Sequence, residues 1–429
     1  MNKRKNKYLL SIIFRVYFLI FIIIFLIHNP TLSQSHKYKK TRYDQRLIQE
    51  KINAATEYSE LIFNSLDTFL ITSTIIISKP LRIKGLNAEL AENLGKVPLM
   101  EITAPHFTCT DFTLTGNAAT VSQQERAPLM SILAGDFLIE RGKLFHSSKE
   151  GISIEAGEND LVGGVVRDIY GYGNMRDLVS INGGYQAKKV RNVLVDNIRC
   201  VQGKLRGAVE VSNGTDNITV RKVYAEDCAY AVDVQDHENK DQVNQNILIE
   251  DVYALRCRFG VRTANIPNGH NNLTLRDITT DSCHLPIQAS NTVNVNIENL
   301  RAINHIGEQV IKIENCDLVN IREVTIEKET MSIDGILISD CNYVDVEAIV
   351  LKAIAKQLNN LIHYQLKDTK RCSGLFISKV ISASDIKNGI LLSSNEKGSS
   401  LKDVIINNIL VEIKNSVNDF KVKENTLIF

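Results

Sequence analysis

Apolar and polar positions alternate in short runs along this chain, and the runs recur. In YAVDVQDH (230–237), Val232 and Val234 alternate with Asp233 and Gln235, and Asp236 and His237 close the run. A period of two predicts a half-buried strand. A second kind of run precedes it and repeats: NVLVDNIRC (192–200), NITVRKVYAEDC (217–228), NILIEDVYALRC (246–257) and NLTLRDITTDSC (272–283), continued by NVNIENLRAINH (294–305) and NIREVTIEKET (320–330). The leading asparagines are 25, 29, 26, 22 and 26 residues apart. After each comes a short second strand: GAVEVSNG (207–214), YAVDVQDH, FGVRTAN (259–265), LPIQASN (285–291), QVIKIENC (309–316) and DGILISDC (334–341). Self-similarity at 20–30 residues marks a solenoid. The consensus of leucine-rich repeats is missing. Units of short Val- and Ile-rich strands, broken by Asn, Asp and Gly, describe coils of a parallel β-helix.

These repeats resemble the right-handed β-helix of the pectin-lyase-like superfamily, over nearly the whole chain beyond its N-terminal segment. The expected fold is all-β, a right-handed parallel β-helix solenoid with an N-terminal capping helix. DQRLIQEKINAA (44–55) is an amphipathic helix suited to that cap, and LIFNSLDTFLITSTIIISKPLRIKGLNA (61–88) resembles the superfamily's opening coil, with a strand ending at Gly85. The expected domains are a signal peptide at 1–33, a linker and capping helix at 34–60, and the β-helix at 61–429. The fold hosts lyases, hydrolases, epimerases, esterases and phage tailspikes, so it does not fix an activity.

The repeat also assigns structural roles. Cys228, Cys257 and Cys283 each lie eleven residues after a leading asparagine, and His305 takes the next place. They are expected to stack as one column of packed free thiols rather than as disulfides. The asparagines are expected to form an internal amide ladder at a turn. The sequons NGT (213–215), NIT (217–219) and NLT (272–274) are read as ladder residues first. None of the eight cysteines forms a CxxC or a zinc-type cluster.

Charge changes the picture at the N-terminus. MNKRKNKYLLSIIFRV carries five basic side chains, VYFLIFIIIFLI (16–27) is wholly apolar, and HNPTLSQS follows. This is the order of a secretory signal, with cleavage expected after Ser33. Twelve apolar residues are short for a span of about 20, so no stable membrane insertion is expected after cleavage. Export to the periplasm, cell surface or medium is expected. The chain carries +1 overall, and without residues 1–33 it would carry −4, which gives no reason to expect nucleic acid as a partner.

Aligning the second strands places outward side chains in columns, one rung about 4.8 Å from the next. The central column reads Ser153, Ser180, Glu210, Asp233, Arg262, Gln288, Lys312 and Leu337. Four residues earlier it reads Lys149, Arg176, Arg206, Ala229, Arg258, His284 and Glu308; two residues later, Glu155, Asn182, Ser212, Gln235, Ala264, Ser290 and Glu314. A solvated face with charges paired along the ladder accounts for much of this. Two features point further. Glu210 and Asp233 are like charges on adjacent rungs, which need a cation or a shared proton, and charge concentrates in coils 176–312. Asn213, Asp236, His237, Asn268 and His270 on loops, with Tyr170, Tyr172 and Asp177, could extend the face.

The resemblance implies an acidic polysaccharide lying along such a groove, bound by a monomer. The basic column, Arg176, Arg206, Arg258 and His284 with Gln288, suits repeated carboxylates. The leading expectation is a polysaccharide lyase acting by β-elimination. Superfamily lyases often use calcium; Glu210, Asp233, Asn213 and Asp236 would supply its oxygens. Arg262 would be base or carboxylate clamp, with Lys312 or His270 as the alternative base, since arginine stays protonated. Tyr230, three residues before Asp233, is expected on the other face. The second expectation is a glycoside hydrolase using Glu210 and Asp233 as a close, retaining carboxylate pair. The chain departs from the polygalacturonase family, whose members invert. Its Asn-Thr-Asp, Asp-Asp and Gly-His-Gly motifs are absent, and the Arg-Ile-Lys at 82–84 lies ahead of the repeats rather than after them, so its mechanism does not carry over. The third is a non-catalytic carbohydrate-binding or adhesive solenoid, for which Tyr170, Tyr172 and Tyr185 would replace the missing tryptophan. No nucleotide loop, HExxH or GxSxG occurs, and His237 alone reads as a turn residue.

Overall fold

The computed structural model describes residues 42–429 except 185–187, 238–241, 264–268, 328–333, 353–357, 368–370, 383–385, 396–399, 410–412, 416–421 and 426–429. The expected signal peptide, Tyr185, Ala264 and Asn268 lie outside the described residues. The chain winds as a right-handed parallel β-helix. Its described strands form two sheets, of nineteen and fourteen strands, visited alternately from Met130–Ile132 onward. The longer-stranded sheet takes the asparagine-led runs, such as Val190–Val201 and Thr215–Glu226. The shorter-stranded sheet takes the second strands: β1 (Ile152–Glu155), β2 (Val179–Asn182), β3 (Val209–Ser212), β4 (Tyr230–Gln235), β5 (Phe259–Thr263), β6 (Leu285–Ser290) and β7 (Gln309–Glu314). Inner positions are apolar on every rung; Val209, Val211, Val232, Val234, Val261, Ile287, Ile311 and Ile313 are fully buried in one continuous core. β-branched side chains suit this buried, pleated surface.

Helix α1 (Arg46–Ala54) is the expected cap. Ile48 and Ile52 are buried against the first coil. Gln49 closes the open sheet edge: its amide accepts from Ile76 N at 2.9 Å and donates to Ile76 O at 3.1 Å. That satisfies backbone groups which would otherwise template another strand. Among the described residues, no helix is long and apolar enough to cross a membrane.

The asparagines do form a ladder, but an exposed one. Asn192, Asn217, Asn246, Asn272 and Asn294 have φ between 55° and 61°. This left-handed bend costs most non-glycine residues ~1–2 kcal/mol, and Asn tolerates it best. Their amides point outward and bond the coil before: Asn217 to Asn192 at 2.7 Å, Asn272 to Asn246 at 2.9 Å and Asn294 to Asn272 at 2.8 Å. The bend, not burial, selects the residue. Asn320 lies in another column, opposite Asn296, and Leu318 takes the bend position with φ 57°. The eight cysteines are free and buried, as expected. His305 extends the column of Cys228, Cys257 and Cys283; burial lowers its pKa to about 4, and Cys283 O lies 2.9 Å from its Nδ1.

Replacing the bend residue tests this account. Asn217→Val should cost about 1–2 kcal/mol or more, from the forced φ, while Asn217→Gly should cost less than that. The comparison is made by denaturant midpoint, and equal losses would show that the amide bond, not the bend, is what matters.

Candidate functional site

The central outward column has the register expected for it. Ser153 pairs Ser180, Ser180 pairs Glu210, Glu210 pairs Asp233, Asp233 pairs Arg262, Arg262 pairs Gln288, Gln288 pairs Lys312 and Lys312 pairs Leu337. The column is not evenly exposed, however. A cleft of about 320 Å³ opens over β1, β2 and β3, where Ser153, Ser180 and Glu210 form its floor. Lys149, Glu150, Arg176 and Arg206 line it from the turns before the strands; Glu155 and Asn182 line it from the last positions of β1 and β2, and Gly183, Asn213 and His237 from beyond the strands.

Glu210 is the centre of the floor. Ser180 Oγ donates to its Oε2 at 2.8 Å, and Arg206 and Gln235 donate to its Oε1. His237 Nε2 lies 3.2 Å from the same Oε1. Burial opposes ionisation of Glu210, but the hydrogen bond from His237 and the Arg206 charge outweigh it and hold the pKa at about 2. Asn213 sits in a left-handed bend at the end of β3; its Oδ1 accepts from His237 N at 2.8 Å, and its Nδ2 donates to Asn182 at 2.7 Å. The start of the His237 loop is thereby fixed to two earlier coils.

The expected exposed face is corrected at its acidic positions. Glu210 is 1 % and Asp233 0 % exposed. Their like charges are relieved by an arginine each. Arg206 covers Glu210, and Arg262, one rung on, forks onto Asp233, with Nε 2.9 Å from Oδ1 and Nη2 on Oδ2. Burial raises the Asp233 pKa, and the Arg262 bonds offset part of that rise. Asp233 and Arg262 therefore form a closed ion pair beside the cleft rather than part of its lining.

Behind the cleft, Asp177 is fully buried. Tyr230 OH donates to its Oδ1 at 2.6 Å, and Arg206 Nη1 lies 3.5 Å from its Oδ2. Burial and then the Glu210 charge push its pKa well above the usual carboxylate range. Tyr230 corrects the expectation that it faces away. It stands at a corner of the coil, and its ring crosses Gly207, where a Cβ would lie 2.4 Å from ring atom Cδ2. The glycine leaves the tyrosine room to reach a carboxylate two rungs away. Glu150, also missed in the sequence, is buried under the basic column, 3.0 Å from Arg176 and 3.5 Å from Lys149. Its place directly after Lys149 was the available signal.

Other expected residues lie elsewhere. His270 is buried at the first position of a long-sheet strand, with Nδ1 3.2 Å from Asn244 Nδ2, so it does not reach the cleft as a base. Lys312 is three rungs beyond Asp233 and paired with Glu314 at 2.7 Å. Gln288 lies between Arg262 and Lys312. Arg258 packs its guanidinium over the Phe259 ring at 5.1 Å, and His284 is exposed on the next coil. Ala229 interrupts the basic column ahead of both. Tyr170 and Tyr172 pack against Phe145 and His146 on the long sheet.

The oxygens assigned to calcium do not fit that ion. Glu210 and Asp233 are bound by arginines, and both ends of the Asn213 amide are committed. Asp236 is buried and does not line the cleft. Among the described residues, no three His, Cys, Asp or Glu side chains converge as metal ligands do.

No protein-family model matches this sequence, and no curated protein is significantly similar to it. Solved structures do match in fold. The A-module of the mannuronan C-5 epimerase AlgE6 of Azotobacter vinelandii is 13% identical, with 84% of this chain and 95% of that chain covered and a TM-score of 0.42. The periplasmic alginate epimerase AlgG is 9% identical over 88% of this chain and 84% of its own, with a TM-score of 0.46. The surface protein and adhesin PfbA of Streptococcus pneumoniae is 11% identical over 84% and 96%, with a TM-score of 0.39. At such identities the likeness is one of fold alone.

Proposed function

We propose that this exported β-helix binds an acidic polysaccharide in the cleft over β1–β3 and cleaves it by β-elimination. One observation carries the reading: the cleft buries the carboxylates that hold its cations and presents the cations, with Glu155 the one half-buried carboxylate of its lining. The Lys149, Arg176 and Arg206 side chains are 38 %, 24 % and 24 % exposed, while their partners Glu150 and Glu210 are 4 % and 2 % exposed. A ligand meets one cation per coil, about 4.8 Å apart. Each arginine is held from behind by a carboxylate and keeps further N–H donors for the ligand.

Elimination requires a neutralised uronate carboxylate, a base for the C5 proton and departure of the 4-oxygen. Arg176 and Arg206 serve the first need. His237 serves the second. Its Nε2–H donates to Glu210, which leaves Nδ1 with the lone pair that takes the proton. Glu210 is a positioning residue; with a pKa of about 2 it stays ionised and gives up no proton to the leaving oxygen. The proton taken by His237 Nδ1 passes to the 4-oxygen as it leaves, so the C5–H and C4–O bonds break as the C4–C5 double bond forms. Hydrolysis by a Glu210 and Asp233 pair is less well supported, because one is saturated with donors and the other closed behind Arg262.

Full-length protein mixed with a panel of uronate polymers should raise unsaturated-uronate absorbance and reducing ends together. His237→Ala should lower turnover by about 100-fold or more, Arg176→Ala should act mainly on KM, and a chelator should leave the rate unchanged. Reducing ends without absorbance would replace elimination with hydrolysis; binding without either would leave an adhesive solenoid.

Glu210 also fixes a pH dependence. Its folded pKa is depressed from an ordinary 4.5 to about 2. The stability it contributes is complete above about 4.5 and is lost as pH falls through about 2. Melting between pH 5 and pH 2 should show a smaller acid loss in Glu210→Gln than in the parent, and parallel curves would refute the assigned shift.

A further inference from the structure

Six rungs beyond Glu210, ~29 Å along the same sheet, three polar side chains meet from three consecutive coils. Asp334 lies on Asp334–Ser339, His363 on Leu358–Leu366 and Ser393 on Ile386–Ser394. His363 Nε2 is 2.7 Å from Ser393 Oγ, and His363 Nδ1 is 3.2 Å from Asp334 Oδ2. We propose that Ser393, His363 and Asp334 form the nucleophile, base and orienting carboxylate of an ester hydrolase, acting on an O-acyl group carried by a hydroxyl compound such as a sugar. This site is independent of the cleft chemistry.

The arrangement is not another polar ladder. In a ladder, like positions of successive coils bond one another, as Asn388 does to Asn360 at 2.7 Å and Asn360 to Asp334. Asp334, His363 and Ser393 occupy three different positions of the repeat. Asp334 is in register with Asn360, His363 with Leu391, and Ser393 with Gln365. The bonded series runs diagonally, and its roles follow from geometry. The Asn360 amide fixes Asp334 Oδ1, which leaves Oδ2 to accept from His363 Nδ1–H. That tautomer puts the lone pair on Nε2, facing the serine hydroxyl. Exposure rises outward in the order such a device requires: the Asp334 side chain is 5 % and His363 14 % exposed, and Ser393 is half-buried.

The neighbours supply a place for the acyl group. Leu337 and Leu391 flank His363 in its column, and Leu391 shares the face of Ser393 two residues earlier on the strand. Gln365, directly across the rung from Ser393, is held by Asn395 at 3.2 Å and has a second amide N–H to offer a developing oxyanion. In the reaction, Ser393 Oγ bonds to the acyl carbon as its proton passes to His363 Nε2. The carbon–alkoxide bond breaks, and the alcohol leaves with that proton. Water, deprotonated by His363, then releases the carboxylic acid and restores the serine.

The test is labelling of the full chain with a biotinylated fluorophosphonate, together with hydrolysis of p-nitrophenyl acetate. Mass spectrometry of the unmutated protein should place the adduct on Ser393. Ser393→Ala should abolish labelling, and His363→Ala should slow it by about 100-fold or more. Asp334→Asn should slow it and also change the pH profile of the residual rate, which a merely structural residue would leave in place. An adduct elsewhere, labelling no faster than in Ser393→Ala, or a rate unchanged in His363→Ala would each overturn the proposal; circular dichroism establishes that the variants fold.

Discussion

Parallel backbone pairing between coils sets a rung spacing of about 4.8 Å, and the rest of the structure depends on it. Side chains at equivalent positions cannot avoid one another at that distance. Inside, this makes stacks of Val, Ile and Leu on every rung. Outside, it makes neighbours of whatever the repeat places there. The pairing holds only if each coil turns at the same place, and the left-handed bends at Asn192, Asn217, Asn246, Asn272 and Asn294 keep that place. An amide tolerates the bend and also ties it to the coil before.

The same spacing explains how the cleft is organised. Glu210 and Asp233 meet as like charges on adjacent rungs. The structure resolves this with arginines laid across them, and the arginines exclude solvent as they neutralise. Buried carboxylates then hold cations at the surface. Asp177 lies deeper, where burial favours its protonated form and Tyr230 supplies a hydrogen bond. Carboxyl groups within one small region are thus driven apart in pKa by their surroundings, a separation typical of functional sites.

Two polar constellations on one sheet have different characters. At β1–β3 the residues converge from both flanking turns into a cleft. At Asp334, His363 and Ser393 they converge diagonally from three strands. A solenoid permits both because each coil is locked by its neighbours, so distant rungs can carry separate chemistry on one rigid frame.

The sequence by itself determined the solenoid, the capping helix, the thiol column and the register of all eight central outward positions, because these follow from periodicity and from counting residues between bends. It also placed Lys149, Arg176, Arg206, Glu210, Asn213 and His237 near one another. Tertiary structure decided which of them a ligand can meet. Column counting assigns faces by parity, so it set Tyr230 aside; only the space above Gly207 lets that ring cross two rungs. Counting also cannot say that an arginine will fold over a carboxylate, which took Asp233 and Arg262 out of the cleft. His270 was misplaced because it opens a strand of the other sheet rather than standing on a loop beside the cleft. Asp334, His363 and Ser393 share no column at all. Their meeting depends on side-chain directions across three coils, and no one-dimensional pattern contains that.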